Sequence, residues 1–127
     1  MDIILNVIPH HEQRYPTCGD WQLNYEQKTV IIRASELNNW RYEFLVQFHE
    51  LIEAMLCFSR GITTEVVDKF DMEYENRRDI GDESEPGDDS NAPYRREHFF
   101  ATSLERLMAA ELGVDWDKYE EEIYKLD

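Results

Sequence analysis

Cysteine and basic side chains are both scarce in this chain of 127 residues. Its two cysteines, Cys18 and Cys57, are too few for a disulfide framework and lack the C-x-x-C spacing of a cysteine-based zinc site. They indicate a reducing, cytoplasmic compartment. Lys and Arg number 13 against 28 Asp and Glu, which gives a formal net charge of −15. Because a phosphate backbone or an anionic membrane is bound by clustered basic residues, we expect no direct nucleic-acid binding and no membrane binding.

The sequence also lacks a long apolar run. The N-terminal run Ile3–Ile8 is short, contains Asn6 and follows Asp2, so it resembles neither a signal peptide nor a membrane span. An apolar content of 42% and an aromatic content of 13% are nevertheless ample for a core. We therefore expect one domain over residues 1–127, with an oligomeric state that the sequence leaves open.

Three short segments near the N-terminus predict a sheet. Ile3–Ile8 is a candidate for a buried strand that stops at Pro9, and Trp21–Tyr25 with Thr29–Arg33 has the spacing of a hairpin. We expect a small, mainly antiparallel three-stranded sheet. Helical patterns follow it, so the predicted fold class is α+β.

A long central helix is predicted over Asn39–Arg60, and three further helices should cover the sheet. One broad face of the long helix carries apolar residues and is predicted to be core: Trp40, Phe44, Phe48, Leu51, Ile52, Met55 and Phe58. Between the second and third helices, Asp79–Pro93 is acidic and rich in turn-forming residues. We expect it to form a long loop inserted in the single domain, beside any site that the flanking helices build.

The string HELIE within the long helix is the strongest chemical signal. His49 and Glu53 are one turn apart at the border of the apolar face, and Glu50 lies beside them. This is the geometry of the HExxH metal helix, with Glu53 in place of the second histidine. A zinc hydrolase needs three protein ligands, an open position for water and a nearby base. His49 and Glu53 are candidate metal ligands, and Glu50 is the candidate base.

The third predicted helix offers the remaining ligand. His98 lies at the border of its apolar face, and Glu97 points into that face, so the choice between them stays open. We favour His98 for the metal, with Glu97, Asp71 or Glu105 as reserve or outer groups. The alternative is a helix flank whose carboxylates are simply solvated.

Residues 29–57, TVIIRASELNNWRYEFLVQFHELIEAMLC, resemble the ImmA/IrrE family of zincin metallopeptidases. The matching positions are Ile32, Leu37, Arg41, Phe44, His49, Glu50 and Leu51. The family's downstream ligand is a glutamate on a later helix, and the segment with Glu97, His98, Phe100 and Ala101 is similar to it.

The resemblance implies a zincin-like fold and zinc-dependent hydrolysis of a peptide or protein substrate. A rearranged set of His49, Glu53 and His98 would hold Zn²⁺, because a carboxylate also binds zinc. Glu53 departs from the family pattern. This departure leaves two outcomes open: a slow enzyme, or a scaffold that has lost its activity.

A second arrangement of carboxylates suggests a different hydrolase. Glu50-x-x-Glu53 is followed by Asp68-x-x-Asp71, similar to the paired acidic motifs of MazG-like nucleotide pyrophosphohydrolases, which use Mg²⁺ or Mn²⁺. That family is all-helical, whereas residues 1–33 predict strands here, and no basic cluster accompanies the motif.

The acidic surface suggests a third, non-catalytic function. Spaced carboxylates can imitate the phosphates of nucleic acid and occupy the site of a DNA-binding enzyme. The acidic residues that crowd the loop and the last helix are Asp82, Glu83, Glu85, Asp88, Asp89, Glu120, Glu121 and Glu122. A solvated surface is the simpler explanation of such residues.

Overall fold

The computed structural model describes residues 1–126 and has an α+β fold. Three strands are followed by four α-helices. Their bounds are β1 Asp2–Ile8, β2 Gly19–Asn24, β3 Thr29–Ser35, α1 Trp40–Ser59, α2 Thr64–Asn76, α3 Arg95–Glu111 and α4 Trp116–Tyr124. Within the described part of the chain, no helix is both long and apolar enough to cross a membrane.

The sheet is mixed rather than mainly antiparallel. Its order is β1-β3-β2, and β3 pairs in parallel with β1 and antiparallel with β2. The predicted hairpin is present, because the four residues 25–28 reverse the chain between β2 and β3. The parallel pairing of β1 with β3 departs from the predicted, mainly antiparallel sheet. Residues 9–18 form a connection long enough to cross to the other edge of the sheet, so β1 and β3 run the same way.

The central strand β3 organises the core. Val30, Ile32 and Ala34 alternate along it and are completely buried under the helices. Val30 and Ile32 belong to one apolar cluster with Trp21, Ala54 and Cys57 of β2 and α1. Ala34 belongs to a second cluster, which joins α1 to α3 and α4 through Leu45, Val46, Ala109 and Tyr119. The two clusters leave a polar gap between them, and this gap holds the candidate site described below.

Helix α1 begins where the sequence predicts. The Asn39 side chain accepts hydrogen bonds from the backbone N–H groups of Arg41 and Tyr42, at 3.0 and 3.4 Å, and so caps the helix. The helix ends just before Gly61, whose positive φ of 73° continues the chain out of the helix.

The buried face of α1 matches the predicted apolar face only in part, since Leu51 and Met55 pack against the core but other members do not. Trp40 leaves 60% of its surface exposed and Phe58 leaves 43%, while Phe44 and Phe48 are half-buried. The inward side is instead formed by Leu45, Val46, His49, Glu53, Ala54 and Cys57. Hydrophobic periodicity predicts that polar residues lie on the surface. His49 and Glu53 can nevertheless be buried, because they have hydrogen-bond partners on other elements.

Strand β1 was predicted to be buried, and it is exposed. Its central apolar residues leave between 42% and 48% of their surfaces accessible: Ile3, Ile4, Leu5 and Val7. Strand β1 is the edge of the sheet, and α1 lies mainly over β3 and β2. No helix therefore covers the apolar side chains of this strand within the described residues.

The remaining helices frame the loop. Thr63 caps α2 and Asp115 caps α4, each accepting a hydrogen bond from a backbone N–H in the first turn. Between α2 and α3, residues 77–94 contain a short 3₁₀ helix, Pro86–Asp88, that packs against both of these helices. The loop therefore lies beside α3, as its position in the sequence predicts.

Replacing Ile32 by Ala tests the register of β3. Ile32 is completely buried on the helix side of the sheet, so we expect the free energy of unfolding to fall by about 2–5 kcal/mol. The matched control is Ile31→Ala on the opposite, half-buried face, which should cost clearly less. Urea unfolding followed by circular dichroism measures both, and equal losses would contradict the register.

Candidate metal centre

The candidate site lies between α1 and α3. His49 and Glu53 are four residues apart on the inner side of α1, and His98 faces them from α3. All three side chains are buried, and Glu53 exposes only 4% of its surface. The structure thus brings together the three residues that the sequence proposes as metal ligands.

Their donor atoms are spaced as the ligands of a small ion would be. His49 Nε2 lies 3.2 Å from Glu53 Oε2, and His98 Nδ1 lies 3.1 Å from the same oxygen. One donor atom from each residue can be chosen so that all three lie within 4.8 Å of one another. A tetrahedral zinc ion with bonds of about 2.1 Å holds its donors roughly 3.4 Å apart. The two distances to Glu53 Oε2 are therefore close to those of a tetrahedral metal site, and the distance between the two histidine donors is at most 4.8 Å.

Outer groups fix the orientation of the His49 ring. Its Nδ1 donates to Glu105 Oε1 at 2.8 Å, and the Tyr119 hydroxyl donates to Glu105 Oε2 at 2.6 Å. With a proton at Nδ1, the Nε2 atom is left to face Glu53. Glu105 thus stands where the sequence places an outer group, and Tyr119 extends the chain of hydrogen bonds to α4.

The His98 ring is held by the acidic loop. Its Nε2 lies 3.0 Å from Glu85 Oε2 and 3.1 Å from Asp88 Oδ1, opposite the nitrogen that faces Glu53. Gly87 lies flat against the ring, since a Cβ atom there would be 2.4 Å from His98 Cγ. Only a glycine allows this close approach of the loop backbone. Glu85 and Asp88 with His98 also form a second, more exposed set of possible metal donors.

Both histidines face carboxylates through both ring nitrogens, so each ring carries two protons in this arrangement. Burial alone would lower the pKa of His98, but its hydrogen bonds with Asp88, Glu53 and Glu85 raise it to about 12. Burial likewise opposes ionisation of His49, whereas Glu105 and Glu53 hold its pKa well above the ordinary value. A metal ion must displace protons from these two rings in order to bind.

Glu50 differs from its neighbours because its carboxylate makes no hydrogen bond or ion pair with any described residue. It lines a cavity of about 200 Å³ together with His49, Glu53 and His98. Burial, followed by the charge of Glu53, holds the pKa of Glu50 well above its usual range. Gly19 of β2 makes room for this side chain, since a Cβ atom at Gly19 would lie 2.9 Å from Glu50 Cγ.

Glu97, the competing candidate for the third ligand, faces elsewhere. It is buried, and its carboxylate accepts a hydrogen bond of 2.6 Å from Arg60 Nη1 at the end of α1. Because the ion pair satisfies this carboxylate, the geometry favours His98 over Glu97 as the ligand.

Asp68 and Asp71, the second acidic pair of the sequence, already form hydrogen bonds or ion pairs with other side chains. The Asp71 carboxylate accepts hydrogen bonds from the Tyr94 hydroxyl and, at 3.0 Å, from the Tyr15 hydroxyl. Asp68 forms an ion pair of 2.8 Å with Arg14. With these partners in place, the four carboxylates do not form an open magnesium site, and the strands β1–β3 also depart from an all-helical pyrophosphohydrolase.

The sequence analysis did not predict several of the residues that contribute to the site. The Trp21 indole N–H donates to Glu53 Oε1 at 3.1 Å, and Tyr15, Tyr94 and Arg14 complete the neighbouring Asp71 and Asp68 contacts. These residues come from a strand, a loop and a helix start, at no fixed spacing from the HELIE string. No local pattern in the sequence could therefore have connected them with the site.

Comparison of the chain with family models, with curated proteins and with solved structures finds no match. The resemblance of residues 29–57 to zincin metallopeptidases thus remains a prediction from the sequence. The chemistry of the site follows from its own residues.

The pH dependence of stability tests the environment of Asp71. Burial, aided by the charge of Glu53, raises the pKa of this carboxyl to about 7, although hydrogen bonds from Tyr94 and Tyr15 oppose the rise. The folded state therefore keeps a proton that the unfolded state loses near pH 4, so this group's contribution to stability falls between about pH 4 and 7.

We expect Asp71→Asn to remove this decrease in stability between about pH 4 and 7. The difference in unfolding free energy between the parent and Asp71→Asn should change between about pH 4 and 7, by at most roughly 1.4 kcal/mol per pH unit. The control is Asp79→Asn, at an exposed position, which should leave the profile unchanged. A constant difference between parent and Asp71→Asn across this range would contradict the raised pKa.

Proposed function

We propose that this chain is a zinc-dependent metallopeptidase-like hydrolase of zincin-like fold, with His49, Glu53 and His98 as metal ligands and Glu50 as general base. The observation that carries the proposal is the convergence of three buried donor atoms beside a carboxylate, that of Glu50, which has no hydrogen-bond partner among residues 1–126. A hydrolytic site requires a base that is not already engaged by another protein group, and Glu50 meets this requirement among the described residues.

The donor set favours zinc over magnesium or manganese. Two imidazole nitrogens and one carboxylate oxygen match the ligand types of catalytic zinc sites, while Mg²⁺ and Mn²⁺ prefer oxygen ligands. The hydrogen bond from His49 to Glu105 is the usual outer contact of a zinc-bound histidine. The contacts of His98 with Asp88 and Glu85 can serve the same purpose on α3.

A bound zinc ion supplies a Lewis acid and lowers the pKa of a water molecule towards neutrality. Glu50 would be the group that accepts a proton from water and passes it to the leaving amine, since its carboxylate lines the same cavity as the proposed ligands. Burial and the nearby charge of Glu53 raise the pKa of Glu50, which makes it a stronger base than an exposed glutamate.

Glu53 sets the expected speed of the reaction. A carboxylate ligand carries a negative charge where a histidine would be neutral, and this charge weakens the Lewis acidity of the metal. We therefore propose slow hydrolysis of peptide bonds. The two cysteines, too few for a disulfide framework, are compatible with the proposed reducing, cytoplasmic setting.

Metal analysis tests the ligand set. After chelator treatment and reloading, we expect the parent protein to hold one zinc per chain, and His49→Ala and His98→Ala to lose it. His11→Ala is the matched control, because His11 is exposed on the loop after β1 and should keep the metal bound. Zinc affinity should rise with pH, since the two histidines release protons on binding. Stoichiometric zinc in His49→Ala would show that the assignment is wrong.

Activity is tested separately from metal binding. Glu50→Gln should keep the zinc but lose about 10²–10⁴-fold of the turnover of unstructured peptides, because it removes the general base. Glu65→Gln, an exposed substitution on α2, is the control and should retain full turnover. Products are identified by mass spectrometry.

A parallel incubation with nucleoside triphosphates distinguishes the alternatives. Peptide fragments that disappear with Glu50→Gln support the peptidase. Release of a nucleoside monophosphate and pyrophosphate supports the pyrophosphohydrolase instead. Bound zinc without products from a broad panel of either class would favour a non-catalytic binding protein.

A further inference from the structure

The backbone of β1 presents an open edge to solvent. Asp2 N–H donates to Lys28 O at 2.9 Å, and Glu36 N–H donates to Ile8 O at 2.8 Å. These bonds show that the even-numbered residues of β1 turn their peptide groups towards β3, because N–H and C=O of one residue point to the same side of a strand. The peptide groups of Ile3, Leu5 and Val7 therefore point outwards, where the sheet has no further strand.

The side chains of the same three residues form an uncovered apolar row. They stand beside Val30, Ile32 and Ala34 of β3, on the helix side of the sheet. The β3 residues are completely buried, whereas Leu5 leaves 47% of its surface exposed. The apolar row and the open backbone edge thus coincide on one strand.

Along the part of the chain that the structure describes, this edge has little of the usual protection. Proteins prevent edge-to-edge pairing with charged side chains, proline, bulges or a covering element. Asp2 is the one charged residue of β1, the strand pairs without interruption over all seven residues, and proline appears only after it, at Pro9. An unprotected apolar edge in a folded chain indicates a partner strand.

We propose that β1 pairs antiparallel with β1 of a second copy of this chain, about a two-fold axis at Leu5, so that one sheet runs through both copies. In this register Leu5 lies opposite Leu5 of the other copy, and Ile3 lies opposite Val7. All three outward peptide groups then exchange hydrogen bonds, and apolar side chains meet apolar side chains. The surface is therefore complementary to itself, as a two-fold interface requires.

The charge distribution limits where two copies of the chain can meet. The chain carries a net charge of −15, so two copies repel one another over most of their surfaces. Residues 3–9 carry no charged side chain, so β1 is a place where two acidic copies can meet without opposing carboxylates. Because the repulsion between the copies is screened by salt, the dimer should become tighter as ionic strength rises.

Sedimentation equilibrium of the full chain, from micromolar to millimolar concentration and at two salt concentrations, tests the proposal. We expect a dimer for the parent and a monomer for Leu5→Lys, which places a charge on the two-fold axis. Val66→Lys is the matched control, because Val66 is equally exposed, at 47%, but lies on α2. It should remain dimeric. A parent that stays monomeric, or a Leu5→Lys protein that stays dimeric, would overturn the proposal.

Cysteine substitution tests the register even if Leu5→Lys does not fold. Opposed residues of a hydrogen-bonded antiparallel pair have Cα atoms about 5.5 Å apart, which suits a disulfide. Under mild oxidation Leu5→Cys should therefore form a linked dimer. Ile4→Cys should not, since Ile4 faces Asn6 of the other copy and lies diagonally from its own counterpart. The parent gives the background from Cys18 and Cys57. Equal linking of Leu5→Cys and Ile4→Cys, or none in Leu5→Cys, would contradict this register.

Discussion

The carboxylate of Glu53 is the contact on which the rest of the site depends. It accepts hydrogen bonds from His49 on its own helix, from His98 on α3 and from Trp21 on β2, so it joins three elements at one buried point. Burial alone would raise its pKa, but the two histidines lower it to about 2. A buried charge is tolerated only when it is paired and fully hydrogen-bonded. All three partners are therefore needed for α1 to place Glu53 in the interior.

The proposed metal site would exchange protons for an ion. Without the ion, two imidazolium rings face Glu53, Glu105 and the loop carboxylates, and every ring nitrogen has an acceptor. If a divalent ion were bound as proposed, two neutral rings and Glu53 would be its ligands, and the release of two protons would offset its two positive charges. The net charge of the site would then stay the same, so neither state would leave a buried charge without compensation.

Much of the site could be predicted from the sequence because it depends on spacing within helices. His49 and Glu53 share a face through the i, i+4 relation, and His98 lies at the corresponding border of α3. The contacts of Trp21, Tyr15 and Tyr94 could not be predicted, since they depend on how a strand, a loop and a helix start meet in space. The direction of β1 depends likewise on the path of residues 9–18, which carry no periodic pattern.

The exposure of the helix side of β1 is connected with the width of the sheet. Three strands spaced about 4.8 Å apart form a narrow surface, while a helix with its side chains is about 10 Å wide. Helix α1 uses that surface over β3 and β2, where Trp21 contacts Glu53, and it leaves the helix side of β1 without cover. A placement further towards β1 would bury Leu5 but would separate Glu53 from Trp21. The buried polar cluster and the open apolar edge are therefore two consequences of the same placement, and a strand from outside the sheet is the simplest way to cover the edge without moving the helix.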